Sequence, residues 1–337
     1  DFISYVNLYS QWKRERSTLL KIIDEVISNQ NWVGGQEIIK FEKNILKYTK
    51  TKYAVALNSG TDALTLGLSL IGVRKNDEVI TTPNSFIASV ASIVHLGAKP
   101  ILVDVKKDQN IDTSLIERKI SKKTKAIMPV HLTGRMSDMD EIIKLSKKYS
   151  IPIIEDAAQA IGSRYNNFPA GSFGKVACFS AHPLKNLNAI GDSGYLVTNN
   201  KKIYEYAKQL RNHGLTNRNN SEKFGYVSRM DTIQAAVLNY RIKKLNKIIK
   251  KRRENFKIYA QNLDKKNVYF PLEEKFQFNT YHTFVIQVKK RNSLKNYLKN
   301  HGIGTAIHYP IPIHLQKSSK NLNYKKGDFI NAEKQAR

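Results

Sequence analysis

The chain is 337 residues long and 41% hydrophobic, and its 56 Lys and Arg against 28 Asp and Glu leave a formal charge of +28. This much apolar material buries a large core, so a globular α/β protein is expected, and the lone Cys178 excludes an internal disulfide and fits a reducing cytoplasm. The basic excess is mostly lysine scattered beside Ile and Asn, as in KKLNKIIKKRREN; it reads as a solvated surface, and without helix-turn-helix or zinc-ligand spacing neither a nucleic-acid partner nor a metal is expected.

In chain order, Asp1 to Ser28 carries helical periodicity, and Gly34 and Gly35 mark a turn before a second helix. A strand-helix alternation follows, with strands at Tyr53 to Leu57, Glu78 to Thr81, Pro100 to Val105, Lys125 to Val130, Pro152 to Glu155, Lys175 to Phe179 and Tyr195 to Thr198. Seven strands interleaved with helices imply a mainly parallel sheet covered by helices. Phe86 to Val105 is apolar but broken by His95, Lys99 and Pro100, so it reads as a helix, a turn and a strand, and no membrane partner is expected. From there a long basic helix, Thr232 to Leu263, a strand in YHTFVIQV and a helix in SLKNYLKNHG suggest a smaller α+β domain. The expected division is a large domain over 1–235 and a smaller one over 236–337. The final AEKQAR stops inside a helical pattern, so the smaller domain is expected to be incomplete.

Strand ends carry the candidate chemistry. YAVALN followed by SGTDALTLGL puts Ser59, Gly60 and Thr61 where a strand ends and a helix begins. Free N–H groups and the helix dipole favour a phosphate there, with a hydroxyl donor from Ser59 or Thr61, although Ser and Thr serve equally as plain helix caps. Phe86, after the turn TTPNS, can lie flat on a cofactor ring or pack in the core. Asp156 follows the apolar run IPII at the carboxyl end of a central strand, where open α/β sheets place ligands. A carboxylate there keeps a pyridine nitrogen protonated and makes the ring a stronger electron sink; the plainer alternative is a helix N-cap. Gln159, one turn on, faces the same place as a donor to a ring hydroxyl.

Lys185 follows about 30 residues later, in FSAHPLKNLNAIGDSGYLVT, on a short loop between two strands. With the aspartate it makes the layout of a site for pyridoxal 5'-phosphate. The lysine forms the Schiff base and, once an amine displaces it, moves the proton between the substrate carbon and the cofactor's C4'. Only lysine does both at neutral pH, because its pKa falls readily in a desolvated site. Ser180 reaches the phosphate from this side. His182, three residues before the lysine, either assists proton movement, contacts substrate or simply packs.

These residues resemble the DegT/DnrJ/EryC1/StrS sugar aminotransferases, through SGTDAL, TTPNSFIAS, PVHLTGR, EDAAQA, SAHPLKNL, GDSGYLVT, LRNHG, GYVSRMDTIQAAVL and GIGTAIHYP in order from GGQEIIKFE to IHYPIPIHLQ. The resemblance implies fold type I, with a seven-stranded sheet domain, a smaller C-terminal domain and a homodimer whose sites lie at the subunit interface. It implies amino transfer, usually from glutamate, to a keto group on a nucleotide-linked deoxysugar, with pyridoxamine 5'-phosphate between the half-reactions. Position by position it makes Lys185 the Schiff-base lysine, Asp156 the pyridinium partner, Gln159 the ring-hydroxyl contact and Phe86 the stacking aromatic. Gly60, Thr61 and Ser180 match phosphate contacts, His308 and Tyr309 substrate-side positions, and Arg229 a segment that crosses the interface. His131, Arg211 and His213 fall in matching segments without an assigned role. Val227 departs from the pattern: the family commonly has Asn there, reaching the neighbouring subunit's phosphate, and a valine cannot donate that hydrogen bond.

The expected function is therefore amination of a keto-deoxysugar for a surface polysaccharide or glycoconjugate. HYPIPIHLQ leans toward relatives that aminate C3 rather than C4. The net positive field favours approach of a doubly negative nucleotide-sugar. The nearest rival is a sugar dehydratase of the same family, but those relatives replace the lysine, typically by histidine. A basic nucleic-acid-binding protein is the rival from another class, and a nicotinamide enzyme lacks its G-x-G-x-x-G loop here.

Overall fold

Alternation of side chains along each strand lets one sheet build two cores. Ala54, Ala56, Ile80, Ala177, Phe179, Tyr195 and Val197 are buried on one face, and Val55, Leu57, Val79, Val176, Cys178 and Leu196 on the other. With both faces covered, the strands read as near-continuous apolar runs.

The computed structural model describes residues 2–30 and 32–337. It opens with α1 (Leu8–Ser28), whose N-cap Asn7 accepts the Ser10 N–H at 2.8 Å, and α2 (Gln36–Thr49). The turn between them uses Gly34 and Gly35 at φ 86° and 80°, a region only glycine enters freely. Helix α1 thus starts seven residues later than the periodicity suggested. Ile3 pairs instead with Ile303, and Asp1 lies outside the described residues.

Next come β1 (Tyr53–Leu57), α3 (Gly60–Leu70), β2 (Glu78–Thr81), α4 (Ala88–His95), β3 (Lys99–Leu102), β4 (Thr124–Ile127), α5 (Met139–Tyr149) and β5 (Ile154–Asp156). A small hairpin, β6 (Arg164–Tyr165) with β7 (Phe168–Pro169), leads to β8 (Val176–Ser180), β9 (Gly194–Thr198) and α6 (Lys201–Leu210). Parallel bridges Ile127 to Ile153 and Val130 to Asp156 join β4 to β5, giving the order β1-β9-β8-β5-β4-β2-β3. Strand β9 alone runs against its neighbours, so the sheet is seven-stranded and mainly parallel, as expected. Cys178 packs inside β8 with its thiol on the Ala63 carbonyl at 3.0 Å, and burial pushes its pKa well up.

The C-terminal region corrects two expectations. The long helix is two: α7 (Thr232–Ile242) and α8 (Leu245–Asn262). Helix α7 is buried nearly all round, whereas only Leu245 and Ile249 are buried on α8, so the chain must turn between them. It does so where the Lys244 N–H tightens onto the Arg241 carbonyl at 2.9 Å. YHTFVIQV is not a strand either. Tyr281 takes φ 48°, and the carbonyls of Tyr281 and His282 accept Nη1 of Arg252 at 3.2 and 2.8 Å. A guidinium group there replaces a ladder partner, and Gln287 alone bridges to Tyr269. The remaining elements are β10 (Gln277–Phe278), which pairs antiparallel with β6, then α9 (Arg291–Asn300), expected from the sequence, and α10 (Ile330–Gln335). Among the described residues no helix is long and apolar enough to cross a membrane.

Candidate active site

Glu155 and Asp156 are neighbours on β5, so their side chains leave on opposite sides and meet opposite environments. Glu155 is fully buried and accepts the N–H groups of Gly171, Phe173 and Gly174 at 2.8, 2.9 and 2.7 Å. His131 adds a fourth bond at 3.1 Å; its Nδ1 accepts the Ser137 N–H at 3.2 Å, so Nε2 holds the proton and donates. This carboxylate is consumed in holding the loop before β8. Asp156 has fewer partners: the Ser89 hydroxyl at 2.6 Å and the Ala158 N–H at 3.2 Å. Ser85 contacts Ser89 at 2.7 Å, and since Ser89 donates to the carboxylate, Ser85 donates to Ser89. Burial raises the Asp156 pKa; Ser89 and the Ala158 N–H oppose that most, followed by the charge of Lys185.

Lys185 follows the β8 strand end in a turn closed by its own N–H on the His182 carbonyl at 2.8 Å. Its ammonium has no hydrogen bond among the described residues. Burial lowers its pKa, and the Asp156 charge partly restores it. The amine and the carboxylate therefore sense one another inside one desolvated space.

The adjoining strand ends approach one another closely at two glycines. A Cβ on Gly60 would stand 2.7 Å from the Ser180 Cβ, and one on Gly194 would stand 2.3 Å from the Ser59 carbonyl carbon. Glycine is obligatory at both for the strand ends to approach this closely. Ser59 caps α3 by accepting the Asp62 N–H at 3.0 Å, so the structural role is real, yet its own hydroxyl proton stays available. Thr61 sits in the first turn of α3 with its carbonyl on Thr65, and Ser180 accepts the His182 N–H at 3.3 Å. Arg229 arrives through a bridge to Leu57 at the end of β1; its Nη1 donates to Asn212 at 3.0 Å, and its Nε is sealed without a partner among the described residues.

The opposite wall comes from the C-terminal region. Gln159 accepts the Thr133 N–H at 2.7 Å and donates to the Tyr309 hydroxyl at 3.3 Å. Burial pushes the Tyr309 hydroxyl up to about 12. His308 is lowered by burial and by Lys185, which favours the neutral ring. Phe86 is 56% exposed, with its ring 6.4 Å from that of Tyr309. His182 is exposed, and its Nδ1 accepts the Leu184 N–H at 3.2 Å.

Thus Lys185, Asp156, Gln159, His308, Tyr309 and Phe86 gather at one place, with Ser59, Gly60, Thr61 and Ser180 beside it. Arg211 is tied to Glu42 at 2.6 Å and to the Ala56 carbonyl at 2.8 Å, while His213 occupies an exposed turn at φ 60°. Ser89 and His282 escaped the sequence reading. The serines four apart, Ser85 closing TTPNS and Ser89 beyond it, were a legible hint; His282 had none, because its neighbours are distant in sequence. A desolvated lysine without a partner, a buried carboxylate across from it and a glycine-lined cradle fit pyridoxal 5'-phosphate.

The DegT/DnrJ/EryC1/StrS aminotransferase family model matches residues 13–337. A pleiotropic regulatory protein of Geobacillus stearothermophilus is 36% identical over 339 residues, covering 99% of this chain and 91% of that protein. The dTDP-3-amino-3,6-dideoxy-alpha-D-galactopyranose transaminase of Aneurinibacillus thermoaerophilus is 37% identical over 317 residues, covering 94% and 87%. The X-ray crystal structure of S. venezuelae DesV in complex with a ketimine intermediate matches with a TM-score of 0.96 at 33% identity, over 100% of this chain and 91% of that one. Other solved neighbours hold pyridoxal or pyridoxamine phosphate. In sequence, in fold and in the chemistry its residues offer, the chain belongs to the DegT/DnrJ/EryC1/StrS family of pyridoxal-phosphate-dependent aminotransferases.

Proposed function

We propose that the protein moves an amino group from glutamate to the keto group of a deoxysugar linked to a nucleoside diphosphate, with 3-keto sugars preferred, and that the amino sugar feeds a surface polysaccharide or glycoconjugate. The observation that carries this reading is the unpartnered, desolvated Lys185 amine in the field of buried Asp156. Pyridoxal 5'-phosphate, when bound, supplies an aldehyde that condenses with amines and a ring that takes up the electron pair of a broken C–H bond. Asp156, where the Ser89 hydroxyl opposes the rise in pKa that burial causes, would pair with the protonated ring nitrogen. Ser59, Gly60, Thr61 and Ser180 would hold the phosphate. Gln159 would contact the ring hydroxyl and Phe86 would cover the ring face. With the cofactor bound, the Lys185 amine would take and return the proton at the reacting carbon, a role that the lowering of its pKa by burial favours. His182, Arg229, His308 and Tyr309 bind the substrate side.

The sugar substrate is supported by the transaminase relative from Aneurinibacillus thermoaerophilus, whose name carries nitrogen at C3. A homodimer working in the cytoplasm belongs to the same reading. Phe86, Leu184, Ile190, Tyr226 and Val227 are large exposed apolar side chains on segments flanking the site, as a partner's surface would require. Val227 is 59% exposed and offers no donor, so in such a dimer another group meets the phosphate there. The test is incubation with glutamate and a panel of 3-keto and 4-keto nucleotide-sugars, with amino-sugar formation measured by mass spectrometry. A product from a 3-keto member is expected; no amino sugar from any member would overturn the reading.

A further inference from the structure

Residues 279–283 are braced more heavily than an irregular segment needs. The Thr280 hydroxyl meets that of Ser163 at 2.9 Å, and the Thr280 N–H donates to the Gly134 carbonyl at 3.1 Å. Arg252 holds the next two carbonyls, and the Tyr281 ring stacks on Phe256 at 4.0 Å. Gly134 is pressed so close that a Cβ there would lie 3.0 Å from the backbone nitrogens of both Tyr281 and His282. Inside this clamp Tyr281 sits at φ 48°, a left-handed conformation that is strained for a bulky residue. Strain of this kind persists where the surroundings over-determine it, often to aim a functional group.

The group aimed here is His282. It is 8% exposed, and its Nδ1 is sealed without a hydrogen-bond partner among the described residues. Burial and then the charges of Lys185 and Arg252 push its pKa well below the ordinary range, so the ring is neutral. His131, the buried histidine of the sheet, pairs both of its nitrogens. His282 does not, and with Nδ1 closed off, Nε2 is the nitrogen left to meet a ligand.

We infer that His282 is a further substrate-positioning residue, binding a hydroxyl of the keto-sugar through Nε2 in the space it shares with Lys185 and His308. This rests on the amination reading above. Glutamate has no sugar hydroxyl, so the residue acts in one half-reaction only.

The experiment compares holoenzyme carrying His282→Phe, His282→Gln or His282→Asn with the unaltered enzyme, using a nucleotide keto-sugar that the latter aminates. The absorbance change on adding glutamate reads the first half-reaction, and kcat/KM for the sugar reads the second. His282→Phe is expected to lower sugar kcat/KM by at least about tenfold, chiefly through KM, while the glutamate step stays within about twofold. Gln, whose amide reaches where Nε2 stands, is expected to recover more than Asn. Unchanged sugar kinetics in His282→Phe, or an equal loss in both half-reactions for all three variants, overturns the inference. Should the Phe protein fail to load cofactor, the ranking of Gln against Asn decides alone. Unaltered enzyme that aminates no sugar sinks the substrate reading itself, whereas a working enzyme indifferent to His282 sinks only this one.

Discussion

The two walls of the site fix polar groups in desolvated surroundings by different means. On the sheet side, Asp156 and Ser180 stand at the ends of strands whose own hydrogen bonds are complete, and Glu155 beneath is satisfied four times over. On the C-terminal side the backbone is irregular, and arginines do what ladder partners do elsewhere. Arg252 holds two carbonyls, Arg253 holds Glu273 and the Asn279 carbonyl, and Arg135 holds the carbonyls of Pro271 and Leu272. Among the described residues Asn279, Tyr281, His282 and Thr283, close together in sequence, keep sealed polar atoms without partners, whereas Asp156 and Glu155 on the sheet wall are hydrogen-bonded. A sheet satisfies its backbone as a by-product of forming, whereas an irregular wall depends on a few long side chains and is correspondingly fragile.

Removing the reacting amine tests the first wall most severely. Lys185→Ala is expected to lower turnover by at least about 10³-fold and abolish the visible band of the bound cofactor, with little change in melting temperature, because the amine holds no other side chain. Turnover within tenfold of the parent protein would break the assignment. The second wall is tested by Arg135→Ala. This buried guanidinium spans the two regions through Pro271, Leu272 and Gln277, so the loss should be about 3 kcal/mol in denaturant unfolding, with a rise in KM for the sugar. A change below about 1 kcal/mol would mean the irregular wall does not need its arginine.

A pH series sharpens the link between Lys185 and Asp156. Only the neutral amine condenses with the cofactor aldehyde, and burial lowers the lysine pKa, so loading of apoenzyme should persist to lower pH than for an ordinary lysine. Asp156 opposes that lowering; Asp156→Asn removes the negative charge and should shift the midpoint further down. The rate at which the visible band appears, followed against pH, measures this, and an unmoved midpoint would separate the two residues. The smallest effect is expected in the core beneath the sheet. Tyr195 stacks on Phe179 at 4.9 Å with a buried hydroxyl that has no partner among the described residues, so Tyr195→Phe should be neutral or stabilising by up to about 1 kcal/mol in the same unfolding assay.

The sheet was legible because its strands are short apolar runs bounded by turn residues. Tyr53 to Leu57 and Glu78 to Thr81 coincide with β1 and β2 at both ends. Lys185 and Asp156 were legible for a related reason: Asp156 closes the buried strand β5 and Lys185 lies in the short loop after the buried strand β8, so chain order puts them at the same edge. The break between α7 and α8 was not, since the basic periodicity runs on through Lys243 and Lys244 while burial on both sides of α7 decides the turn. Nor was the missing strand in YHTFVIQV, whose alternation looks regular until Arg252 claims its carbonyls from about 30 residues away.

By itself, then, the amino-acid order determined the strands, their parallel stacking and the lysine and aspartate at their ends, all products of hydrophobic period and local turn chemistry. Only the tertiary structure decided which of two adjacent carboxylates is spent on a loop and which is left for a ligand. It also decided that a serine four residues from another would hold the second carboxylate, and that a histidine far along the chain would be clamped neutral beside the lysine. Those outcomes depend on partners remote in sequence, and on burial, which no local pattern encodes.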